Sequence, residues 1–285
     1  MRKAYRISFF VFALAQLVEK VHIYVNQIWG AYMIARHLKI LIIMFLLLVS
    51  SVSGKAFAGS TVYLASLDWP PYVGENLPEK GTSAQIIRKA FAAMGYELEI
   101  LFLPWKRSMR MVDRNHKVVG YFPEYYSEAR ARRYLFSDSY GCSPVSLLEL
   151  KEKPISWKRV DDLSSLQVGF VAGYVNTPDL DQAVANGTIK ADFAPTDKSN
   201  IMKVMKGRID CAVVDPLVYG YLAATDHEVG KLSNTVQIAP RAFGVNDLYV
   251  AFRKDTQGLY YSRILNEGLR KIDNERSCKK QDDLF

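Results

Sequence analysis

The chain has 285 residues, 49% hydrophobic and 23% charged, a balance typical of globular proteins that bury a sizeable core. Its net charge of +8 is concentrated at the start of the chain. Residues 1–58 carry seven Lys and Arg residues and one acidic residue, whereas the rest of the chain carries 30 basic and 28 acidic residues. A nearly neutral body gives no reason to expect a nucleic-acid-binding protein. Three cysteines without a short spacing exclude a disulfide framework and a metal knuckle, and leave room for one bridge.

The beginning of the chain has the three-part pattern of a secretory signal. A positive segment, Arg36 to Lys39, precedes an apolar segment, Ile40 to Val52, and a small-x-small cleavage site follows at Ala56 to Ala58. The pattern favours a start at Met33, cleavage after Ala58 and a periplasmic location. A retained membrane anchor is the alternative, although the apolar segment is short for a membrane span.

The next segment predicts a parallel α/β unit. Thr61 to Leu67 is rich in β-forming residues, apolar residues recur at helical spacing from Ile86 to Met94, and Glu97 to Leu103 again indicates a strand. Thr82 and Gln85 form a capping-box pattern at the start of the helix. A strand, a helix and a second strand in succession are typical of a parallel sheet.

A stiff aromatic loop follows the first predicted strand. Two prolines, Pro70 and Pro71, cannot pair in a sheet interior, so the loop presents Trp69 and Tyr72 at the strand's carboxyl end. Open α/β sheets bind ligands at that edge. The two rings are therefore candidate ligand contacts, and packing against a neighbouring loop is the alternative.

The most unusual stretch is Ser127 to Tyr140, which follows a third predicted strand. It holds Arg130, Arg132 and Arg133 within four positions, just after a helix start at Ser127. A guanidinium fixed at such a start can hold a carboxylate in two parallel hydrogen bonds. The alternative is a basic turn in solvent, where most single charges lie.

A second α/β pattern begins after an extended run from Pro144 to Leu150. Leu166 to Val171 is predicted to be a strand that leads to a turn at Gly173, and Ile209 to Val214 is predicted to be another, closed by Asp215. A carboxylate at this position, beside a helix start, is either a site residue or a simple helix cap.

Four segments in order carry a resemblance to a known family. Ser127-Glu128-Ala129-Arg130, followed by Phe136 to Tyr140, is similar to a Thr-Glu-x-Arg and Phe-Ser-x-Pro-Tyr pair. Val168 to Gly173 is similar to a Val-Gly-Val-x-x-Gly turn, and Gly207 to Asp215 to a Gly-Arg-x-Asp-Ala-x-x-x-Asp segment. With these motifs the chain resembles the bacterial extracytoplasmic solute-binding proteins of the polar amino-acid-binding type, from Thr61 to Asp273.

The resemblance implies an α/β fold of two lobes, each a mostly parallel sheet flanked by helices, with a ligand cleft between them. Lobe 1 would comprise residues 59–143 and 244–285, and lobe 2 residues 144–243, after a leader of residues 1–58. The protein would be a periplasmic monomer that captures an amino-acid-like molecule for an ABC permease. Neither a metal, nor a cofactor, nor nucleic acid is implied.

The resemblance also implies roles for individual residues. Arg130 would hold the ligand's carboxylate, and Asp215, from the other lobe, would hold its ammonium group. Backbone N–H groups near Gly173 would add contacts to the carboxylate, and Trp69 or Tyr72 would cover the ligand's side chain.

Two departures from the family pattern change the character of the expected site. Tyr174 follows the turn glycine where the family usually has threonine, and Pro123-Glu124-Tyr125 replaces a serine-rich run. These changes make the site bulky, aromatic and acidic, and add Glu124, Tyr125 and Tyr174 to the candidate ligand contacts. They favour a basic, aromatic or sugar-like ligand.

Two other classes of function remain open. One is a periplasmic enzyme on the same fold, such as a dehydratase of small acids, with Glu124 as its candidate acid or base. The other is a ligand-sensing module that serves a separate signalling partner.

Overall fold

The computed structural model describes residues 60–272, together with Lys39, Ile42 and Met44. The predicted cleavage site and most of the predicted signal lie outside the described residues. No helix in the part of the chain that is described has the length and apolar character needed to cross a membrane.

The body between residues 60 and 272 contains ten strands and eight α-helices. The strands are β1 Thr61–Ser66, β2 Glu97–Phe102, β3 Val118–Glu124, β4 Tyr134–Phe136, β5 Gly141–Leu150, β6 Gln167–Val171, β7 Lys190–Ala194, β8 Cys211–Val214, β9 Val236–Ile238 and β10 Gly244–Arg253. The helices are α1 Thr82–Ala92, α2 Trp105–Arg114, α3 Glu128–Arg133, α4 Pro178–Ala185, α5 Asp197–Met205, α6 Pro216–Thr225, α7 His227–Leu232 and α8 Thr256–Lys271.

The strands run in the order β2-β1-β3-β10-β5-β8-β6-β7, with β4 beside β10 and β9 beside β5. β1 is parallel to β2 and β3, and β6 is parallel to β7 and β8, so two parallel groups lie at the two ends of the order. The long strands β5 and β10 join them through an antiparallel ladder from Gly141 and Leu248 to Val145 and Gly244. This arrangement confirms the predicted two-lobed α/β fold.

Each parallel group has its own hydrophobic core. One cluster gathers around β1, β3 and β10 and includes Leu64, Phe91 and Phe252. Two further clusters lie around β6 and β8, one with Leu180 and the other with Ile201. The separate cores keep the two parallel groups compact on either side of the β5–β10 ladder.

The helix starts follow the predictions with one correction. Ser127 caps α3, since its hydroxyl accepts from the N–H of Arg130 at 3.3 Å. The capping-box prediction is wrong: α1 begins at Thr82 itself, its N-cap is Gly81, and no side chain caps it. Gly81 has φ +95° and packs so closely on Tyr72 that a Cβ would lie 2.6 Å from the Tyr72 carbonyl oxygen. A glycine is therefore required where a capping side chain would otherwise stand.

The two cysteines that the structure describes, Cys142 and Cys211, differ in their bonding state. Cys142 takes part in a disulfide. Cys211 is free and fully buried in β8, where it packs as a small hydrophobic residue.

Candidate functional site

A small cavity lies where the loops after β1, β3 and β6 meet. Its volume is about 20 Å³, roughly the space of one water molecule. The cleft is therefore closed in this structure, and a larger ligand enters only when its walls move apart. The cavity is lined by Leu67, Trp69, Trp105, Pro123, Glu124, Tyr125, Tyr174, Val175 and Leu248.

Four aromatic residues predicted as ligand contacts form one cluster at this cavity. Trp69 stacks on Tyr72 with ring centroids 4.5 Å apart. Its ring also meets Tyr125 and Tyr174 edge-on, with centroids 6.3 Å and 6.5 Å away. The buried indole N–H of Trp69 has no hydrogen-bond partner among the described residues. The four rings thus pack against one another, and Trp69, Tyr125 and Tyr174 line the cavity. For Trp69 the two interpretations, ligand contact and packing, are therefore not exclusive.

Arg130 is held by two groups at the edge of the cavity. Its Nε lies 2.9 Å from Glu124 Oε2 in an ion pair, although the alignment falls short of a regular hydrogen bond. Its Nη2 donates to the carbonyl oxygen of Gly173 at 2.7 Å. The indole N–H of Trp105 donates to the same carbonyl at 2.9 Å. Gly173 therefore contacts Arg130 and Trp105 through its carbonyl oxygen. The contact between nearby N–H groups and a ligand carboxylate, implied by the resemblance, stays a prediction.

Glu124 is 2% exposed, and both of its carboxylate oxygens have partners. Oε2 also accepts from the Tyr121 hydroxyl at 2.8 Å, and Oε1 accepts from the Tyr125 N–H at 3.1 Å. Burial raises the pKa of Glu124 from 4.5 to about 7, and the nearby Arg130 charge opposes part of that rise. Near pH 7 the Glu124 carboxyl is therefore partly protonated, and in its charged form it pairs with Arg130.

Asp215 is both a helix cap and a wall of the cleft. Its Oδ1 accepts from the N–H groups of Leu217 and Val218, at 2.6 Å and 3.1 Å, at the start of α6. Its Oδ2 accepts from the Tyr72 hydroxyl at 2.8 Å and from the Ser143 hydroxyl. Burial raises the pKa of Asp215, and these hydrogen bonds oppose that rise. All its donors are neutral, so its negative charge has no cation among the described residues.

A second buried carboxylate, Asp197, stands at the first position of α5. Its Oδ2 accepts from the Tyr174 hydroxyl at 3.0 Å. Burial raises its pKa from 3.8 to about 6, and the charge of Asp215 adds to the rise. The two acids are thus close enough to interact electrostatically.

The structure brings all eight predicted ligand-binding residues into one region, and adds others that the sequence analysis missed. Ser143 bridges Tyr125 and Asp215 from the β5 strand, and no local pattern marks it. Trp105 directly follows Pro104 after the second predicted strand, and its large aromatic ring was the signal that could have found it. Asp197 begins a helix in the sequence, and an acidic residue at that position does not by itself indicate a site.

The other two arginines of the basic stretch have surface positions. Arg132 and Arg133 are exposed, and Arg133 pairs with exposed Asp113 at 3.0 Å. The basic-turn interpretation therefore holds for these two residues and not for Arg130. Among the described residues, no group of three His, Cys, Asp or Glu could hold a metal ion.

Comparisons with known proteins agree with this architecture. No protein-family model matches the chain. The L-cystine-binding protein of Escherichia coli is 26% identical over 247 residues, which cover 82% of this chain and 89% of that protein.

Two solved structures illustrate the likeness in fold. An ancestral arginine-binding protein bound to arginine has a TM-score of 0.63 at 18% identity, and the match covers 79% of this chain and 98% of that one. An amino acid ABC transporter substrate-binding protein from Streptococcus pneumoniae, bound to L-arginine, has a TM-score of 0.59 at 17% identity, with 75% and 89% covered. At such identities the two structures establish the fold.

Proposed function

We propose that this chain, a two-lobed solute-binding protein of the bacterial polar amino-acid-binding type, captures an amino-acid-like small molecule for ABC-type uptake. The observation that carries the proposal is that Arg130 and Asp215 both contact the shell of one cavity lined by the Trp69 ring. Arg130 pairs with the lining residue Glu124, and Asp215 accepts from Tyr72, which stacks on Trp69. Charged groups of both signs and flat apolar surfaces are the chemistry that recognises a small polar organic molecule.

The capture mechanism is a hinge closure. We assign residues 59–143 and 244–285 to lobe 1 and residues 144–243 to lobe 2, so that the β5–β10 ladder contains both crossings between lobes. Tyr72 to Asp215, and Arg130 to Gly173, are then contacts between lobes. A ligand stabilises the closed state only through contacts that the open state lacks.

The relatives support the ligand class and the setting. The relative and the two solved structures reported above are binding proteins for L-cystine or arginine, and one belongs to an ABC transporter. We further propose that this protein works in the periplasm after removal of its leader, as a monomer, and passes its ligand to a permease.

A melting screen with matched variants tests the proposal. Asp215→Asn keeps an oxygen that can cap α6 and removes the charge in the cleft. Asp226→Asn is the control, because Asp226 caps α7 in the same way, at 3.0 Å and 3.1 Å, away from the cleft. A ligand at about 100 times its Kd stabilises the protein by about 2.7 kcal/mol, which raises the Tm by roughly 5–10 °C.

We expect that shift in wild type and in Asp226→Asn, and its loss in Asp215→Asn. The compound recovered from the denatured complex should be chemically unchanged, which separates binding from the enzyme alternative. If a broad panel of amino acids and amines shifts the Tm of neither wild type nor control, the proposal is wrong.

A further inference from the structure

The positive charge of the cleft is already matched by the protein itself. Arg130 pairs with Glu124 at 2.9 Å, and the two residues lie six positions apart on the continuous segment from β3 to α3. A movement of the lobes that separates Arg130 from Gly173 therefore leaves this pair intact. The Tyr121 hydroxyl and the Tyr125 N–H hold the Glu124 carboxylate in place from its own strand and the loop behind it.

A ligand carboxylate at Arg130 would meet an obstacle in Glu124. If the ligand displaces Glu124, a carboxylate that is 2% exposed loses its cation, and such uncompensated buried charges are strongly unfavourable. If the ligand shares Arg130, two carboxylates face one guanidinium, and one of them must take up a proton. The remaining N–H groups of Arg130 suit a neutral oxygen, such as a hydroxyl or an amide carbonyl.

The opposite wall has an unmatched negative charge. Asp215 and Asp197 are 5% and 8% exposed, and neither has a Lys, Arg or His within ion-pair distance in the described part of the chain. Both accept hydrogen bonds from tyrosine hydroxyls, which are neutral donors. Buried carboxylates of this kind favour a cation that enters the site.

The aromatic cluster is an independent indication of the same ligand. Trp69 lies within 4.5 to 6.5 Å of three tyrosine rings, those of Tyr72, Tyr125 and Tyr174. The faces of such rings attract ammonium and guanidinium groups, tryptophan most strongly. The cleft thus combines aromatic ring faces with two carboxylates that have no cationic partner among the described residues.

We infer that Glu124 is a specificity-determining residue that makes this cleft prefer an organic amine without a carboxylate over the corresponding amino acid. The inference rests on the function proposed above and narrows its ligand class. The amine carries one or two positive charges toward Asp215 and Asp197, and its carbon chain lies along the Trp69 ring. Arg130 then serves as the permanent partner of Glu124.

Matched pairs of compounds test this selectivity directly. The pairs are L-arginine and agmatine, L-lysine and cadaverine, L-ornithine and putrescine, and L-tyrosine and tyramine, each differing by one carboxyl group. Calorimetric titration of the wild-type protein at pH 8 should give at least one amine with a Kd at least tenfold lower than that of its amino acid.

Variants then assign the effect to Glu124. Glu124→Gln removes the charge but keeps the shape, so Arg130 becomes available to a ligand carboxylate and the ratio of the two Kd values should shift at least tenfold toward the amino acid. Glu128→Gln is the control, because Glu128 is an exposed carboxylate on α3 whose one hydrogen-bond donor among the described residues is the exposed Tyr126, at 3.2 Å. It should leave the ratio unchanged.

The wild-type protein offers a second measurement that does not depend on the folding of Glu124→Gln. Glu124, whose pKa is about 7, faces Tyr121, Tyr125 and Arg130, and Tyr249 stands opposite it on β10. Between pH 8 and pH 6 its protonation frees Arg130, so the preference for the amine should narrow severalfold. Protonation of Asp197 or Asp215 weakens the binding of the amine and of its amino acid alike. It therefore leaves the ratio of their two Kd values unchanged.

The outcomes separate this inference from the proposed function. An amino acid that binds as tightly as its amine, or more tightly, in the wild type overturns the inference and leaves the function standing. If neither Glu124→Gln nor the change of pH alters the preference for the amine over its amino acid, the role assigned to Glu124 is wrong. Absence of binding by every compound, in this set and in the broad panel, removes the proposed function and the inference with it.

Discussion

The Tyr72 hydroxyl donates to Asp215 Oδ2 over 2.8 Å and joins two residues 143 positions apart across the cleft. The bond places a neutral donor on a buried carboxylate that lacks a cation. It therefore contributes to the stability of the closed form without satisfying the charge, and a ligand ammonium group can improve on it.

Removal of this hydroxyl should cost stability. Tyr72→Phe leaves a buried carboxylate with one donor fewer, so the free energy of unfolding should fall by about 1–3 kcal/mol. Tyr134→Phe is the matched control, since Tyr134 meets the exposed Asp113 only at 3.3 Å and 3.4 Å, and we expect a loss below about 0.5 kcal/mol. Urea unfolding measures both variants, and equal losses would contradict the buried role of Tyr72.

The stability of the protein without ligand should fall as the pH rises from about 4 to 7. The folded-state pKa values of Glu124 and Asp197 are raised to about 7 and about 6, so the folded protein holds protons that the unfolded chain has released. This stabilisation is fully present at a pH below the pKa values that the two carboxyls have in the unfolded chain. It is lost as the pH rises through their pKa values in the folded protein. Carboxyls with a lowered pKa, such as Asp226, act below this window.

The size of this effect for Glu124 alone is on the order of 3 kcal/mol. Urea unfolding at pH 5 and pH 8 measures it, and Glu124→Gln should have a flatter pH dependence than the wild type. Parallel curves for the two proteins would show that Glu124 does not titrate in this window.

The turn at Gly173 should be needed for closure. Gly173 has φ +93°, and a Cβ there would lie 3.3 Å from Lys106 and Met109 on the facing helix α2. Gly173→Ala should therefore weaken ligand binding by about tenfold or more, because the added methyl group crowds α2 and such overpacking costs about 1–3 kcal/mol. The left-handed backbone costs alanine about 1–2 kcal/mol in addition, which lowers the Tm. Calorimetric titration measures the affinity.

The control for that variant is Gly187→Ala. Gly187 has φ +73°, and a Cβ there meets nothing within 4 Å. It should lower the Tm through the same backbone cost and leave the affinity unchanged. If both variants bind as tightly as the wild type, the Gly173 turn has no part in closure.

The ring of Trp69 should contribute directly to ligand affinity. Trp69→Leu removes the ring face at the centre of the cluster, and loss of a cation–π contact of about 1–2 kcal/mol should raise the Kd roughly tenfold or more. Trp157→Leu is the control, because Trp157 stacks on Phe243 at 4.4 Å in another core cluster. A similar rise in Kd for both variants would indicate a general packing effect.

Local patterns in the sequence were enough to predict much of this site. The loop that contains Pro70 and Pro71 predicted the positions of Trp69 and Tyr72. Asp215 was recognised because it lies between the end of a strand and the start of a helix. Both inferences depend on neighbours in the chain, so one sequence suffices for them.

The partners of the charged groups could not be predicted in the same way. The pairing of Arg130 with Glu124 depends on the corner between β3 and α3, and the contact with Gly173 joins residues 43 positions apart. Ser143 reaches Asp215 because β5 pairs with β8, a ladder that residue spacing does not reveal. The sequence therefore predicted which charged residues belong to the site, but not that Arg130 already pairs with Glu124.

A crystal structure of the mature protein with the tightest compound of the panels tests the binding site most directly. We predict that the ligand lies between Asp215 and the Trp69 ring, with its ammonium group on the carboxylate and with Glu124 still paired to Arg130. A ligand bound outside this cleft, for example in the larger groove beside Trp157 and Arg241, would contradict the account.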